Sequence, residues 1–327
     1  MINAVMIGLG WWGKHSIDAV KGKSEKINII GACSRNKEQH SDYLKKNDLK
    51  IYNNYEDVLR DDNVHAVILT TPHSTHTEQI IAAASHNKHV FAEKPLTLTK
   101  SDAVRCINAL KKKNLKLGVG FSRRFQPAYL DLIKMVENGE IGQILHIEGE
   151  QSGPSAYKIK DGMWRGKKEE SPGGAMAARG THVMDAMISI AGEVERISCI
   201  SERRVLDIDL DDTTSMMVKF KSGVSGYLGT IYVTADIWRL QVYGSKGYLL
   251  MDSETRLIKK TLDNKEITTN YPSTNIVGLT LEAFADDIEG KGAFPVTNNE
   301  AIQGVAAFEA MVKSALNNYE WVSVDNS

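Results

Sequence analysis

The stretch AVMIGLGWWGKHSIDAV, Ala4 to Val20, decides the fold. Apolar residues run straight into Gly8, Gly10 and Gly13, spaced GxGxxG, and the chain then resumes with helical spacing. After a strand and before a helix, such glycines permit a tight turn, close approach of backbone to a pyrophosphate and close helix packing, with the helix N-terminus facing the phosphates. Alone the string is weak, because a glycine turn that merely packs a helix reads the same way. Trp11 and Trp12 lie inside the turn and read either as packing residues or as contacts to a bound dinucleotide.

Working outward, short apolar strands alternate with helices from Asn3 to about Gly120. INIIGACS (27–34) and VHAVILTT (64–71) read as strands, a helix follows from Thr75 to about Asn87, and HVFAEKP (89–95), a helix from Lys100 to Lys113 and LKLGVGF (115–121) complete the rhythm. Alternation of this kind predicts an α/β Rossmann domain, a doubly wound parallel sheet with helical crossovers. Beyond Gly120 the texture changes. A helix over Pro127–Glu137 is followed by segments of period two, QILHIEGEQ (143–151), VERISCISE (194–202) and TSMMVKFKSGVSGYLGTIYV (214–233), with turn signals at Ser222-Gly223, Gly244 to Gly247 and Asp263-Asn264. These predict an α+β domain with a mainly antiparallel sheet and helices on one face, dividing the chain into 1–120 and 121–327 with a cleft between the two. Thr297 and Glu300 form a capping box for a last helix to about Leu316, burying Val305, Phe308, Met311 and Val312.

Composition narrows the partners. Lys plus Arg total 40 and Asp plus Glu 41 in 327 residues, so no broad field points to nucleic acid or an anionic membrane, and a small molecule is expected. Cys33, Cys106 and Cys199 are odd in number and lack CxxC spacing, which argues against a disulfide framework or a zinc site and suits a reducing cytoplasm. The first residues read as a core strand rather than a secretory leader, no apolar run approaches the roughly 18 residues of a membrane span, and no HExxH, His/Cys cluster or GxSxG is present, so neither a metal nor acyl transfer is expected.

Other residues suggest chemistry. The second strand ends in Cys33-Ser34-Arg35-Asn36-Lys37, where an NAD enzyme usually carries a carboxylate for the ribose hydroxyls. A hydroxyl followed by cations suits a 2′-phosphate, so NADP is preferred, with NAD the cofactor if Arg35 and Lys37 are only solvated loop residues. Thr71-Pro72-His73-Ser74-Thr75-His76 and Glu93-Lys94-Pro95 fall at carboxyl ends of parallel strands, where ligands bind to open α/β sheets. There Lys94 is a candidate to polarise a substrate oxygen, though a surface ion pair involving Glu93 reads as well.

GLGWWG, TPHSTH, EKP, RRFQP and GTHVMD occur together in an order and spacing that resembles the glucose-fructose oxidoreductase, inositol dehydrogenase and MocA family along essentially the whole chain. The resemblance implies that Thr71, Pro72 and His76 border the cofactor and that Glu93, Lys94 and Pro95 form the motif whose lysine meets both substrate and nicotinamide ribose. It also implies a Rossmann domain followed by an open-faced antiparallel sheet, homodimers or homotetramers formed through that sheet, and sugars, inositols or related polyols as substrates.

One position departs from the family pattern. Its helix reads Asp-x-Gly-x-His-x-x-Asp where this chain has Ala178, Gly180, His182 and Asp185. On a helix these positions share a face, and alanine cannot support the histidine as a carboxylate would. His182 is therefore expected to stay nearer its ordinary range, still able to act as a general base, the plain alternative being a satisfied core histidine. Asp185 is expected to bind or orient substrate or to answer the helix dipole. Arg179 is expected to meet a substrate carboxylate or an interface acid. Arg123, Tyr157, Trp164 and Arg165 supply guanidinium groups and aromatic faces suited to a hydroxylated ring, or to domain packing. The expected activity is interconversion of hydroxyl and carbonyl by hydride transfer. Its rivals are a non-catalytic dinucleotide sensor or scaffold and a reductase of an imine or activated double bond.

Overall fold

The computed structural model describes residues 1–160 and 162–324, so the last three residues of the expected second domain lie outside the described residues. The chain forms two compact units. The first holds Met1–Thr97, Ser101–Ser122 and Asn275–Asn298, and the second holds Leu98–Lys100, Arg123–Thr274 and the chain from Asn299 onward.

In the first unit, strands β1 (Ile2–Ile7), β2 (Ile27–Cys33), β3 (Lys50–Tyr52), β4 (Ala66–Leu69), β5 (His89–Ala92) and β6 (Leu117–Val119) alternate with helices α1 (Trp11–Val20), α2 (Ser41–Lys46), α3 (Tyr55–Leu59), α4 (His76–Ser85) and α5 (Lys100–Lys111). The sheet order is β3-β2-β1-β4-β5-β6, with every pairing parallel. Ala4, Val5 and Met6 of β1 are fully buried in sequence, as expected where helices cover both faces of a parallel sheet. Strand β3 was not legible in the sequence: three residues at a sheet edge carry too short a pattern to register. The order reverses between β1 and β4, and ligands of such sheets bind at that switch point.

The second unit contains α6 (Pro127–Glu137), β7 (Ile144–Ser152), α7 (Thr181–Ala191), β8 (Val194–Glu202), β9 (Thr213–Phe220), β10 (Ser225–Ile231), β11 (Ile237–Gly244), β12 (Gly247–Ser253), β13 (Arg256–Thr261) and β14 (Glu266–Asn270). Helix α8 (Ile276–Ile288) follows, then α9 (Asn298–Leu316) and the short strand β15 (Val322–Ser323). The nine-stranded sheet runs β14-β13-β12-β11-β7-β10-β9-β8-β15, and its one parallel pair is β10 with β7. Helices α6, α7 and α9 share an apolar core with one face of this sheet, including Leu132, Val183, Met187, Phe308 and Met311. Met217, Tyr227 and Glu148 stand in register across the other face. The last helix keeps its expected buried side, with Val305, Phe308 and Met311 buried and Val312 half-buried.

A single cut at residue 120 does not describe how the contacts group, because α8 belongs with the first unit. Its Phe284 ring stands edge-on to Phe91 of β5 at 5.6 Å, and a side chain on Gly118 of β6 would strike both rings. Asn275 caps the helix by accepting from Gly278 N at 3.0 Å and donates to the Ala19 carbonyl of α1 at 2.8 Å. The apolar spacing of Leu281, Phe284 and Ala285 announces a helix but not which sheet it covers.

A loop anchor in the second unit was also missed. The buried Asp212 carboxylate accepts from the backbone N–H groups of Arg204, Val205 and Leu206 and from the Thr213 hydroxyl, at 2.7 to 3.1 Å. Burial pushes this carboxyl up, but the donors more than cancel it and hold the group below its ordinary range. Asp212→Ala should destabilise the fold by about 2–3 kcal/mol, since these are hydrogen bonds to a charged acceptor; urea unfolding at neutral pH measures it. A depressed carboxyl contributes above its unfolded pKa and loses that contribution as pH falls through the folded value. The gap between parent and variant should therefore narrow below about pH 4, and a gap that widens on acidification refutes the anchor.

Candidate functional site

At the end of β1, Gly8 adopts φ +102°, and its N–H donates to the Cys33 carbonyl of β2 at 2.9 Å. A Cβ on Gly13 would lie 2.2 Å from the Gly8 carbonyl oxygen, so α1 can sit this close to the turn only with glycine there. Around Gly10 a Cβ would meet nothing within 4 Å. The turn is thus packed behind and open at Gly10, which fits a pyrophosphate approaching the backbone at the start of α1. Thr70, which sequence reasoning passed over, braces the turn: its hydroxyl oxygen lies 2.8 Å from Gly8 O and 3.1 Å from Ile7 O. A hydroxyl directly after the strand that neighbours the glycine turn was the available signal.

Other expected cofactor residues fall along the same carboxyl edge. Ser34 is half-buried and Arg35 exposed just past β2, and Lys37 donates to Asn53 Oδ1 at 2.9 Å. Thr71 donates from its hydroxyl to Gln79 Oε1 at 2.6 Å, followed by half-buried Pro72. His76 is fully buried, with Nδ1 3.0 Å from Leu96 O and Nε2 3.2 Å from Thr71 O. Its ring therefore ties the loop after β4 to the loop after β5, and buried His73 stands edge-on to it at 5.8 Å. Glu93 and Lys94 are half-buried directly after β5, and the Glu93 carboxylate leaves room for no side chain at Gly120, where a Cβ would come within 2.7 Å of it. Of the tryptophans, Trp12 is half-buried and lines a small cleft with Glu93, Gly120 and Ser122. Trp11 is 73% exposed and stacks on His15 at 5.4 Å.

In the second unit, His182 and Asp185 lie on the first turns of α7, both buried. The helix is seated by glycines beneath it, because a Cβ on Gly149 of β7 would strike Val183 and one on Gly226 of β10 would strike Met187. Gly173 and Gly174 turn the chain into this helix at φ +69° and +54°, and a Cβ on Gly174 would overlap the Asp211 carbonyl. The turn before His182 is not α-helical as the spacing predicted: Met176–Gly180 forms a π-helical turn running into α7, a feature often found at functional sites. Ala178 lies within it against the apolar cluster of Ala156, Ala175, Leu210 and Tyr232. Where the family pattern has a carboxylate, this chain has an apolar contact.

Several residues expected to contact substrate have protein partners of their own. Asp185 receives Nε and Nη2 of Arg124 on its two oxygens, each at 2.8 Å, and is 3% exposed. Burial pushes its carboxyl up to about 6 while Arg124 opposes the shift. Arg179 donates to Ser152 O at 2.7 Å, to Asp236 Oδ1 at 3.1 Å and to Ser155 Oγ, so the acid it meets belongs to its own unit. Arg123 pairs with Glu254 and lies over the Trp238 ring at 5.2 Å. The structure thus brings Arg124, not its neighbour, to Asp185. Arg165 lies over the Trp164 ring at 4.5 Å, and Tyr157 is 62% exposed.

Residues 2–121 match the model of an oxidoreductase family with an NAD-binding Rossmann fold, and residues 129–250 match the C-terminal domain of the same GFO/IDH/MocA family. Among relatives, a myo-inositol 2-dehydrogenase of Thermotoga maritima is 32% identical over 213 residues, 62% of this chain and 61% of that enzyme. A scyllo-inositol 2-dehydrogenase (NAD(+)) of Bacillus subtilis is 41% identical over 107 residues, 32% of this chain and 31% of that enzyme. The chain therefore matches about three fifths of the first relative's length and a third of the second's. A levoglucosan dehydrogenase solved with NADH and levoglucosan superposes with a TM-score of 0.89 over 100% of both chains at 21% identity, which shows the common fold. With both domain models matched in order, this chain belongs to the GFO/IDH/MocA family of oxidoreductases.

Proposed function

We propose that this protein is an NAD(P)-dependent oxidoreductase that interconverts a hydroxyl and a carbonyl on a sugar, inositol or related polyol. The observation that carries the reading is the carboxyl edge of β1, β4 and β5, which are neighbours in the sheet and end in the glycine turn, Thr71-Pro72 and Glu93-Lys94 respectively. With strands about 4.8 Å apart, Lys94 stands roughly 10 Å across the sheet from the turn, a span suited to an extended dinucleotide with its phosphates at the turn.

The nicotinamide supplies the hydride acceptor or donor. Lys94 stabilises negative charge on the reacting substrate oxygen, and His182 accepts the hydroxyl proton in the oxidative direction and returns it in the reductive one. Tyr157, Trp164 and Arg165 offer aromatic faces and a guanidinium to a hydroxylated ring. Of the other expected substrate contacts, Asp185, Arg123 and Arg179 act through the partners that hold them. The protein works in the cytoplasm as a homodimer or homotetramer joined through the second sheet.

NADP is the preferred dinucleotide, because Ser34-Arg35-Asn36-Lys37 puts a hydroxyl and cations at the end of β2, where an NAD enzyme usually carries its ribose-binding carboxylate, and Arg35 is exposed there. Arg35→Ala should weaken NADPH binding about tenfold, on the order of 1.4 kcal/mol, and leave NADH binding nearly unchanged. Fluorescence titration with both cofactors measures it, and equal losses for the two would refute the preference. Spectrophotometric assay of NADPH oxidation across keto-inositols and keto-sugars tests the activity, and binding without turnover of any of them overturns it in favour of a sensor.

A further inference from the structure

Helix α7 is mostly apolar and buried, and its one carboxylate is Asp185. A carboxylate in such a place is costly, and well-packed apolar residues often replace a buried ion pair with no loss of stability. The pair with Arg124 therefore calls for a reason besides cohesion. Its geometry supplies one. Two parallel hydrogen bonds from Arg124 to Asp185 fix a planar group against a planar group. The third nitrogen, Nη1, donates to Glu300 Oε1 at 2.9 Å on the first turn of α9. Nearby, the Tyr129 hydroxyl of α6 bonds to Ser189 of α7, and after burial it is the Asp185 charge that most raises the Tyr129 phenol. Three helices are thus tied by directional polar contacts, beyond the packing of Val183 and Met187 that seats α7 on the sheet. His182 precedes Asp185 by three positions, so the two side chains neighbour each other on one helix face.

We propose that Arg124 is a positioning residue: its two-point grip on Asp185 sets the rotation and register of α7 and thereby the direction of the His182 ring. The inference rests on the reading of His182 as the proton-handling group, and its test separates the two. The double variant Arg124→Met/Asp185→Leu removes the pair without leaving either of its own charges alone in the core, and Glu300, which also loses Arg124, keeps access to solvent. In the full-length protein labelled at histidine 13Cε1, the His182 resonance, assigned with His182→Asn, should shift or broaden in the double variant while the other eight of the nine histidines hold their positions. Turnover of myo-inositol with NADP should fall about 100-fold, the scale of a misplacement near 1 Å, with NADPH affinity retained. If the double variant does not fold, Arg124→Lys, which keeps the charge and loses the fork, is read in the same way. A folded variant whose His182 resonance stays where it is in the parent overturns the role of Arg124, whatever the turnover. Retained turnover in His182→Ala overturns the reading of His182 alone, because the resonance reports position without catalysis.

Discussion

Lys94→Ala is expected to lower turnover by about three orders of magnitude, within the range for loss of a group that acts on the reacting proton or charge, while NADPH affinity changes by less than about threefold. The lysine lies two residues past the end of β5, half-buried, with Pro95 buried after it. Truncation should therefore leave the glycine turn on β1 intact, since Thr70 and Cys33 brace the turn. Lys94→Arg should restore little, because a planar guanidinium cannot place its charge where a compact ammonium stood. Initial rates and NADPH fluorescence titrations decide the matter, and turnover near the parent value in Lys94→Ala would remove the residue from the mechanism.

Gly13→Ala and Gly10→Ala should fail in different ways. At Gly13 the added methyl would meet the Gly8 carbonyl oxygen at 2.2 Å and the Thr70 hydroxyl at 2.9 Å. The first of these is backbone and cannot swing aside, so α1 must move off the turn. The expected cost is about 1–3 kcal/mol in stability and a loss of dinucleotide affinity of tenfold or more. At Gly10 the methyl meets nothing within 4 Å. The melting temperature should stay within about 1 °C of the parent, because an exposed change that touches nothing alters stability little. Binding should still fall, because the methyl occupies the space through which phosphate reaches the helix N-terminus. Thermal melts beside NADPH titrations separate the two outcomes, and unchanged binding in Gly10→Ala would argue that the glycines serve packing only.

The outline of the candidate site rests on signals that are local. A glycine turn, a Lys-Pro after an apolar strand and a histidine on an amphipathic helix each announce themselves within a few residues, and their order matched a family pattern. The roles of individual polar groups were less legible. His76, expected to border the cofactor, has a ring that bridges two backbone carbonyls, which its sequence context did not announce. Arg179, expected to meet a substrate carboxylate or an interface acid, and Asp185, expected to meet substrate or the helix dipole, are each held by partners from distant parts of their own unit. A charged residue near a motif looks the same in sequence whether it faces a ligand or a second side chain.

By itself the sequence determined the parallel sheet, the change to an antiparallel one and the place of the dinucleotide turn, because strand and helix periods and glycine spacing are properties of neighbouring residues. Only the tertiary structure decided that Arg124 rather than Arg123 meets Asp185, that α8 joins the first sheet, and that Thr70 braces Gly8. These are pairings across 61 positions for Arg124 and Asp185, 171 for the tie from Lys116 to Asp287 that secures α8, and 62 for Thr70 and Gly8. Which partner lies within reach at such separations is set by how the elements pack, and no local pattern encodes it.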